Sequence, residues 1–188
     1  MATATSSTAT ATAVVGSVLF TDLVGFTDFN EGRGDVAALD VLDRQRAIVD
    51  AMLAMAPESR VVKELGDGLM VWFSSAATGV SVACDLMTEI HAARARDEFP
   101  LAVRMGLHHG EALARGDDLV GSTVNVAARV CDLAGPGELL VSDDAIGAGA
   151  IEVRQSTLDC FRPIGPTRVK GVGHAIWLHR LVEPLPQG

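Results

Sequence analysis

Two aspartates stand beside glycines in a setting that suits a metal–phosphate site. Asp22 ends the apolar run VVGSVLFTD, and Gly25 follows it just before a helical pattern begins. Asp67 lies in KELGDG, between two apolar runs that resemble the strands of a hairpin. Two carboxylates that converge in a protein of net charge −9 repel each other unless a divalent cation lies between them. Taken singly, each motif favours the ordinary interpretation, in which Asp22 caps a turn and Asp67-Gly68 forms one.

The segment DLVGSTVNVAAR places an amide and a guanidinium on one face of a predicted helix. Asn125 and Arg129 are four residues apart, so both project from the same side. Such a pair could stabilise negative charge that develops on a phosphate during transfer. The alternative is a helix cap for Asn125 and a solvated charge for Arg129. Arg104, in VRMGLHHG, alternates with apolar neighbours along a strand and is equally an exposed strand residue; His108 and His109 after it are assigned no role.

The basic residues are nearly all arginine, and Lys63 and Lys170 are the only lysines. A chain that uses arginine elsewhere can keep lysine where a compact ammonium is needed rather than a planar fork. The net charge of −9 argues against a general nucleic-acid binder, which needs a basic footprint on the phosphate backbone. It leaves room for one anionic ligand that is held by a few local cations and a metal.

The elements that must position these residues follow from the hydrophobic periodicity. It predicts strands at 14–22, 60–64, 69–73, 101–107, 111–114, 138–141, about 151–161 and 175–181, and helices at about 35–56, 76–94 and 122–133. The order strand, helix, hairpin, helix, strand predicts an α+β fold, with a ferredoxin-like βαββαβ palm core and additional C-terminal strands.

The domain organisation is simple. A chain of 188 residues with 48% hydrophobic residues suits one domain, which we assign to residues 14–182. Residues 1–13 are small and polar and predict a disordered tail, and residues 183–188 form a C-terminal tail. No stretch reaches the ~20 apolar residues of a membrane span. Three cysteines at unrelated spacings indicate buried thiols of a cytoplasmic protein rather than disulfides or a zinc site.

Five motifs together indicate a family. FTDLVGFT, KELGDG, VRMGLHHG, GSTVNVAAR and VKGVG occur in this order and resemble those of the class III adenylyl and guanylyl cyclases over nearly all of residues 14–182. Each motif is weak alone, but five in order with sensible spacing are very specific.

The resemblance implies a role for each candidate residue. Asp22 and Asp67 match the metal-binding aspartates, with the backbone carbonyl of Leu23 as a further ligand. Lys63 and Asp118 match the pair that reads the adenine edge, and Asn125 and Arg129 match the residues that position the ribose and stabilise the transition state. Arg104 and Lys170 match cations on the triphosphate. The resemblance also implies two Mg²⁺ or Mn²⁺ ions and a homodimer in which two chains share each site.

The activity that the resemblance implies is conversion of ATP to cyclic AMP and pyrophosphate. Guanylyl cyclases of the family usually carry Glu at the position of Lys63, so Lys63 with Asp118 favours adenine over guanine. Diguanylate cyclases are disfavoured because their GGDEF-type signature is absent. A module that binds ATP without turnover, or a purely structural interaction domain, is disfavoured because none of the eight site side chains departs from the pattern.

Overall fold

A computed structural model describes residues 11–182 of the chain. The strands are β1 (Thr12–Val24), β2 (Ser59–Leu65), β3 (Gly68–Phe73), β4 (Ala102–Arg115), β5 (Asp118–Val120), β6 (Leu139–Ser142), β7 (Phe161–Arg168) and β8 (Ala175–Leu181). The helices are α1 (Phe26–Arg33), α2 (Asp35–Leu53), α3 (Ala76–Ala95), α4 (Ser122–Leu133), α5 (Asp143–Gly149) and α6 (Gln155–Leu158). Most of the predicted N-terminal tail and all of the C-terminal tail lie outside the described residues.

The sheet follows the order β2-β3-β1-β4-β6-β8-β7, and β5 pairs with β4 off this path. β1 runs antiparallel to both β3 and β4, whereas β4 and β6 are parallel. The order β2-β3-β1-β4, with α2 and α3 as the connecting helices, is the predicted βαββαβ core. The mixed α+β fold class is therefore confirmed, and β6, β8 and β7 are the additional strands.

Side chains alternate along the central strands, so the two faces of the sheet pack against different helices. Leu19 and Leu23 of β1 belong to the largest core cluster, which also holds Val41 of α2 and Val80 of α3. Val18, on the other side of β1, belongs to a separate cluster that includes Ala127 of α4. Even-numbered residues of β1 and β4 therefore face α4, and odd-numbered residues face α2 and α3.

Glycines on β4 allow α4 to approach the sheet closely. A Cβ on Gly106 would lie 2.1 Å from the backbone nitrogen of Cys131, and one on Gly110 would lie 2.8 Å from Oγ1 of Thr123. Gly106 therefore requires glycine, because a side chain there would collide with the helix backbone, whereas one at Gly110 would press on the Thr123 side chain. This close contact fixes α4, with Asn125 and Arg129, against β4, which carries Arg104.

The C-terminal third departs from the prediction. The strand expected over about 151–161 is wrong: Ile151 is 97% exposed in a turn, α6 follows, and the strand itself is β7.

The two strands predicted at 101–107 and 111–114 are one continuous strand, β4. Within the described residues no helix has the length and apolar character needed to cross a membrane. Cys84, Cys131 and Cys160 are buried and free, as predicted.

Candidate active site

A pocket of about 340 Å³ at the end of β1 contains the three predicted metal ligands. Alternation along β1 turns Asp22 towards the α4 face. Leu23 is 2% exposed and its side chain lies in the core, so only its backbone faces the pocket, as a carbonyl ligand would require. Asp67 enters from the turn between β2 and β3, which Gly66 makes possible with a φ of 69°.

The charges in this pocket are only partly balanced. Arg104 pairs with Asp22 in the β1–β4 register, and its Nε donates to Oδ2 of Asp22 over 2.7 Å. Burial raises the pKa of Asp67 above its ordinary value, and the nearby charge of Asp22 raises it further, while Arg104 opposes both effects. An added cation would therefore be stabilised beside Asp67.

The donor atoms suit a hard divalent cation. Two carboxylates and a backbone carbonyl supply only oxygen, which is the ligand type that Mg²⁺ and Mn²⁺ prefer. Across residues 11–182 no group of three or more His, Cys, Asp or Glu is arranged to hold a metal. A bound ion would thus complete its coordination with water or with oxygens of a phosphorylated ligand, as Mg²⁺ commonly does.

A second, larger pocket of about 860 Å³ lies along the exposed side of α4. Asn125 and Arg129 line it from the helix, and Lys170 lines it from the loop between β7 and β8. The helix begins and ends where the sequence predicted, and its buried face contains Val126 and Val130. Arg129 donates to Asp132 over 2.9 Å, but both side chains are at least half exposed, so the ion pair is free to rearrange around a ligand.

The predicted base-reading residues form an ion pair with each other. Nζ of Lys63 on β2 lies 2.7 Å and 2.9 Å from the two carboxylate oxygens of Asp118 on β5. The hydrogen bond from Lys63 holds the pKa of Asp118 below its ordinary value, and the amide of Leu119 adds to this effect. The Lys63 and Asp118 side chains are 37% and 45% exposed, so the pair contributes at most about 1 kcal/mol to folding.

The structure therefore arranges the eight predicted side chains in three groups. The metal group is Asp22, Asp67 and Arg104; the α4 group is Asn125, Arg129 and Lys170; and the base group is Lys63 and Asp118. Arg104 lies with the aspartates rather than beside Lys170, although the resemblance assigns both cations to the triphosphate.

Sequence reasoning missed the histidines of the second pocket. His108, His109 and His174 line it together with Asp144. His108 is almost fully buried, and its Nδ1 lies 2.8 Å from Oγ of Ser142. The signal was available in VRMGLHHG, because His108 is four residues after Arg104 and so lies on the same face of β4.

These histidines predict a loss of stability in mild acid. Burial lowers the pKa of His108 below its ordinary 6.5, and the charges of His109 and His174 lower it further, while Asp144 opposes this. The unfolded chain thus binds the proton first, and stability falls as the pH drops below about 6.5 until the folded-state pKa is passed. Urea unfolding between pH 8 and 5.5 should show a smaller loss for His108→Gln than for wild type. If the free energy of unfolding falls equally with pH in the two proteins, the prediction is wrong. A difference between them that stays constant above pH 7.5 reports packing alone.

Comparison with known proteins gives a consistent family. The pattern of the adenylate and guanylate cyclase catalytic domain matches residues 9–179. Putative adenylate cyclase 3 of Rhizobium meliloti is 31% identical over 132 residues, or 69% of this chain and 22% of that protein. An adenylate cyclase of Streptomyces coelicolor is 31% identical over 140 residues, or 74% and 35% of the respective lengths. The chain thus spans about a fifth to a third of these two curated relatives.

The fold is also that of solved structures. The adenylyl cyclase CyaB from P. aeruginosa superposes with a TM-score of 0.79 at 21% identity, over 93% of this chain and 96% of that one. At this identity the likeness concerns the fold.

Proposed function

The chain belongs to the adenylate and guanylate cyclase catalytic domain family, and we propose that it converts ATP to 3′,5′-cyclic AMP and pyrophosphate. In this reaction the ribose 3′-oxygen forms a bond to the α-phosphorus as the bond to the pyrophosphate oxygen breaks. The observation that supports adenine in particular is the Lys63–Asp118 pair, and the two curated relatives named above are called adenylate cyclases.

The choice of base follows from donors and acceptors. Adenine presents an amine donor at N6 and an acceptor at N1, which the carboxylate of Asp118 and the ammonium of Lys63 would satisfy. Guanine presents an acceptor at O6 and a donor at N1, so it would face each residue with the wrong partner. An unpaired polar group in a binding site costs about 1–3 kcal/mol, and more when it is charged.

The metal group would hold two Mg²⁺ or Mn²⁺ ions through Asp22, Asp67 and the carbonyl of Leu23. When bound, such ions activate the attacking oxygen and neutralise phosphate charge. The partial charge balance around Asp67 supports this assignment, because the half-buried carboxylate lies near the like charge of Asp22 and is offset only by Arg104, which is bonded to Asp22. Arg104 would then be released from Asp22 to bind a phosphate oxygen.

The α4 group would act on the reacting centre and the triphosphate. Asn125 would orient the ribose, Arg129 would stabilise the charge that develops at the α-phosphate, and Lys170 would bind the outer phosphates. Asn125 and Arg129 would donate from a helix that close packing on β4 holds in place, and preorganised donors of this kind favour a transition state over a ground state.

We further propose that two copies of the chain share each site. Lys63 bonds to Asp118, whereas Asp67, four residues later, lines the pocket of Asp22, so one hairpin presents residues in two directions. Three large apolar side chains on β1, β4 and β5 support an interface: Val15 is 60% exposed, Leu113 is 41% exposed and Val120 is 42% exposed. Exposed apolar groups on neighbouring strands are typical of surfaces that bind another protein. We place the reaction in the cytoplasm, where the free, buried thiols would stay reduced.

Substituting the base group should change which nucleotide is used. Purified wild-type protein with Mn²⁺ should form cyclic AMP from ATP and far less cyclic GMP from GTP. Lys63→Glu with Asp118→Cys should lower kcat/KM for ATP by about 10²-fold or more, since two polar partners are lost, and should leave the unfolding midpoint nearly unchanged. Chromatographic quantification of both cyclic nucleotides is the measurement.

The outcomes separate the competing functions. Preferential use of GTP by the wild type would identify a guanylyl cyclase. Nucleotide binding without any cyclic product would identify a sensing module. An unchanged preference for ATP in the double variant would show that other residues read the base. Arg60→Glu with Asp117→Cys is the control, since it likewise exchanges a cation for Glu and Asp for Cys beside the base group, on side chains that are given no role in it.

A further inference from the structure

A buried amide lies in the helix that packs behind the metal group. Gln45 is 1% exposed, and it belongs to the inward stripe of α2, whose other buried members Ala38, Val41 and Val49 are apolar. Burying an amide is unfavourable unless it is hydrogen-bonded. An apolar residue would be expected at this position, so the contact that Gln45 makes needs an explanation.

The amide of Gln45 bonds to a threonine that joins three elements. Its Nε2 donates to Oγ1 of Thr21 over 3.0 Å, and the backbone nitrogen of Leu69 donates to the same oxygen over 3.1 Å. Thr21 is 2% exposed and pairs with Leu69 in the β1–β3 register. One hydroxyl thus connects α2, β1 and β3, and the bond from Gln45 restricts the rotamer in which it can do so.

This network lies directly behind the two carboxylates. Thr21 precedes Asp22, and Leu69 is two residues after Asp67. Between them, a Cβ on Gly68 would lie 2.5 Å from the carbonyl oxygen of Thr21, so the turn that carries Asp67 sits against Thr21. Side chains alternate along β1, so that of Thr21 points towards α2 and that of Asp22 points towards the pocket. The network can therefore set the distance between the carboxylates of Asp22 and Asp67 without contacting a bound ligand.

We propose that Gln45 is a positioning residue for the metal group, and that through Thr21 it fixes the spacing of Asp22 and Asp67 and so the affinity for a divalent cation. The proposal rests on the proposed function, in which this cation is required. Asp22 and Asp67 repel each other, and Arg104 bonds to only one of them. A rigid support from behind is therefore what keeps both carboxylates in place before a cation binds.

The test compares metal affinity with stability in Gln45→Met, which keeps the side-chain length and completes the apolar stripe. The half-saturating Mn²⁺ concentration should rise about 10-fold, the lower end of the range for residues that orient metal ligands. It is measured by electron paramagnetic resonance of free Mn²⁺, with an ATP analogue that lacks the 3′-hydroxyl. The thermal unfolding midpoint should stay equal or rise, and KM for ATP at saturating Mn²⁺ should change little. Gln155→Met, the same exchange on exposed α6, is the matched control and should not alter Mn²⁺ binding.

Variants of Thr21 test whether Gln45 acts through it. Thr21→Val removes the acceptor and should weaken Mn²⁺ binding at least as much as Gln45→Met, whereas Thr21→Ser keeps the hydroxyl and should retain most of the affinity. Adding Gln45→Met to Thr21→Val should cause no further loss, since the two side chains act in series. This series also decides the question if Gln45→Met fails to fold.

Two results would overturn the inference. Wild-type Mn²⁺ affinity in folded Gln45→Met or in Thr21→Val would do so, and so would fully additive losses in the double variant. Failure of the proposed function is a separate result, because it appears in the wild type as Mn²⁺ binding without formation of cyclic AMP.

Discussion

Alanine in place of Asp22 or Asp67 is expected to reduce cyclic AMP formation at least about a thousandfold. Bound divalent ions supply several kcal/mol of charge stabilisation in the transition state, and each 1.36 kcal/mol corresponds to about tenfold in rate. Either substitution removes one of the two carboxylates that are assigned to the metal among the three that line the pocket. The initial rate at saturating ATP, measured over a range of Mn²⁺ concentrations, is the readout, and excess Mn²⁺ should restore little of the activity.

The two variants should differ in stability, which separates chemistry from folding. Asp67→Ala removes a carboxylate that burial disfavours, so the unfolding midpoint should stay equal or rise. Asp22→Ala leaves Arg104 without its partner and should lower the midpoint slightly, because both side chains are about one third exposed. Asp28→Ala, which changes another residue of the same pocket, is the control. Its rate of cyclic AMP formation should fall less than about tenfold. Near-native activity in a folded Asp22 or Asp67 variant would show that the metal lies elsewhere.

The errors in the predicted fold have specific physical causes. The sequence predicts two strands, at 101–107 and 111–114, where β4 is continuous; Gly110 lies within it against the side chain of Thr123, and this contact is invisible in the local sequence. The strand expected over about 151–161 begins at Ile151, an apolar, β-branched residue of the type that strands favour, which the fold leaves in solvent. The real strand β7 carries Pro163 and Pro166, which argue against a strand except at the edge of a sheet, where β7 lies.

The candidate site was named from motifs, but its internal contacts depend on long-range pairing. The order of the motifs identified Asp22 and Arg104 separately, while their ion pair depends on a register between β1 and β4 that joins residues 82 apart. Gln45 carries no such signal, because the inward stripe of a helix is marked in a sequence by its apolar members. The partner that explains it, Thr21, is 24 residues away on another element. Local patterns therefore predict which residues belong to the site, and the topology determines which of them touch.

The shared-site proposal makes a prediction that no single-chain site could satisfy. Asp67→Ala removes a metal ligand and Asn125→Ala removes a donor to the transition state, so each protein alone should be inactive or nearly so. In the proposed dimer the metal group of one chain works with the α4 group of its partner, so one site of a mixed dimer carries both defects. The other takes its aspartates from the Asn125→Ala chain and its asparagine from the Asp67→Ala chain, and is intact.

The expected recovery can be calculated. With equal amounts and random pairing, half of the dimers are mixed and half of their sites are intact, so about a quarter of wild-type activity should return. Mixing should be done under conditions that allow exchange, with two differently tagged chains so that mixed dimers can be isolated and counted. Mixing each variant with itself should restore nothing, which controls for the treatment. If isolated mixed dimers stay inactive, each site is built from a single chain. Each chain of the mixed dimer would then lack a residue that its own site needs, and the partner chain could not supply it.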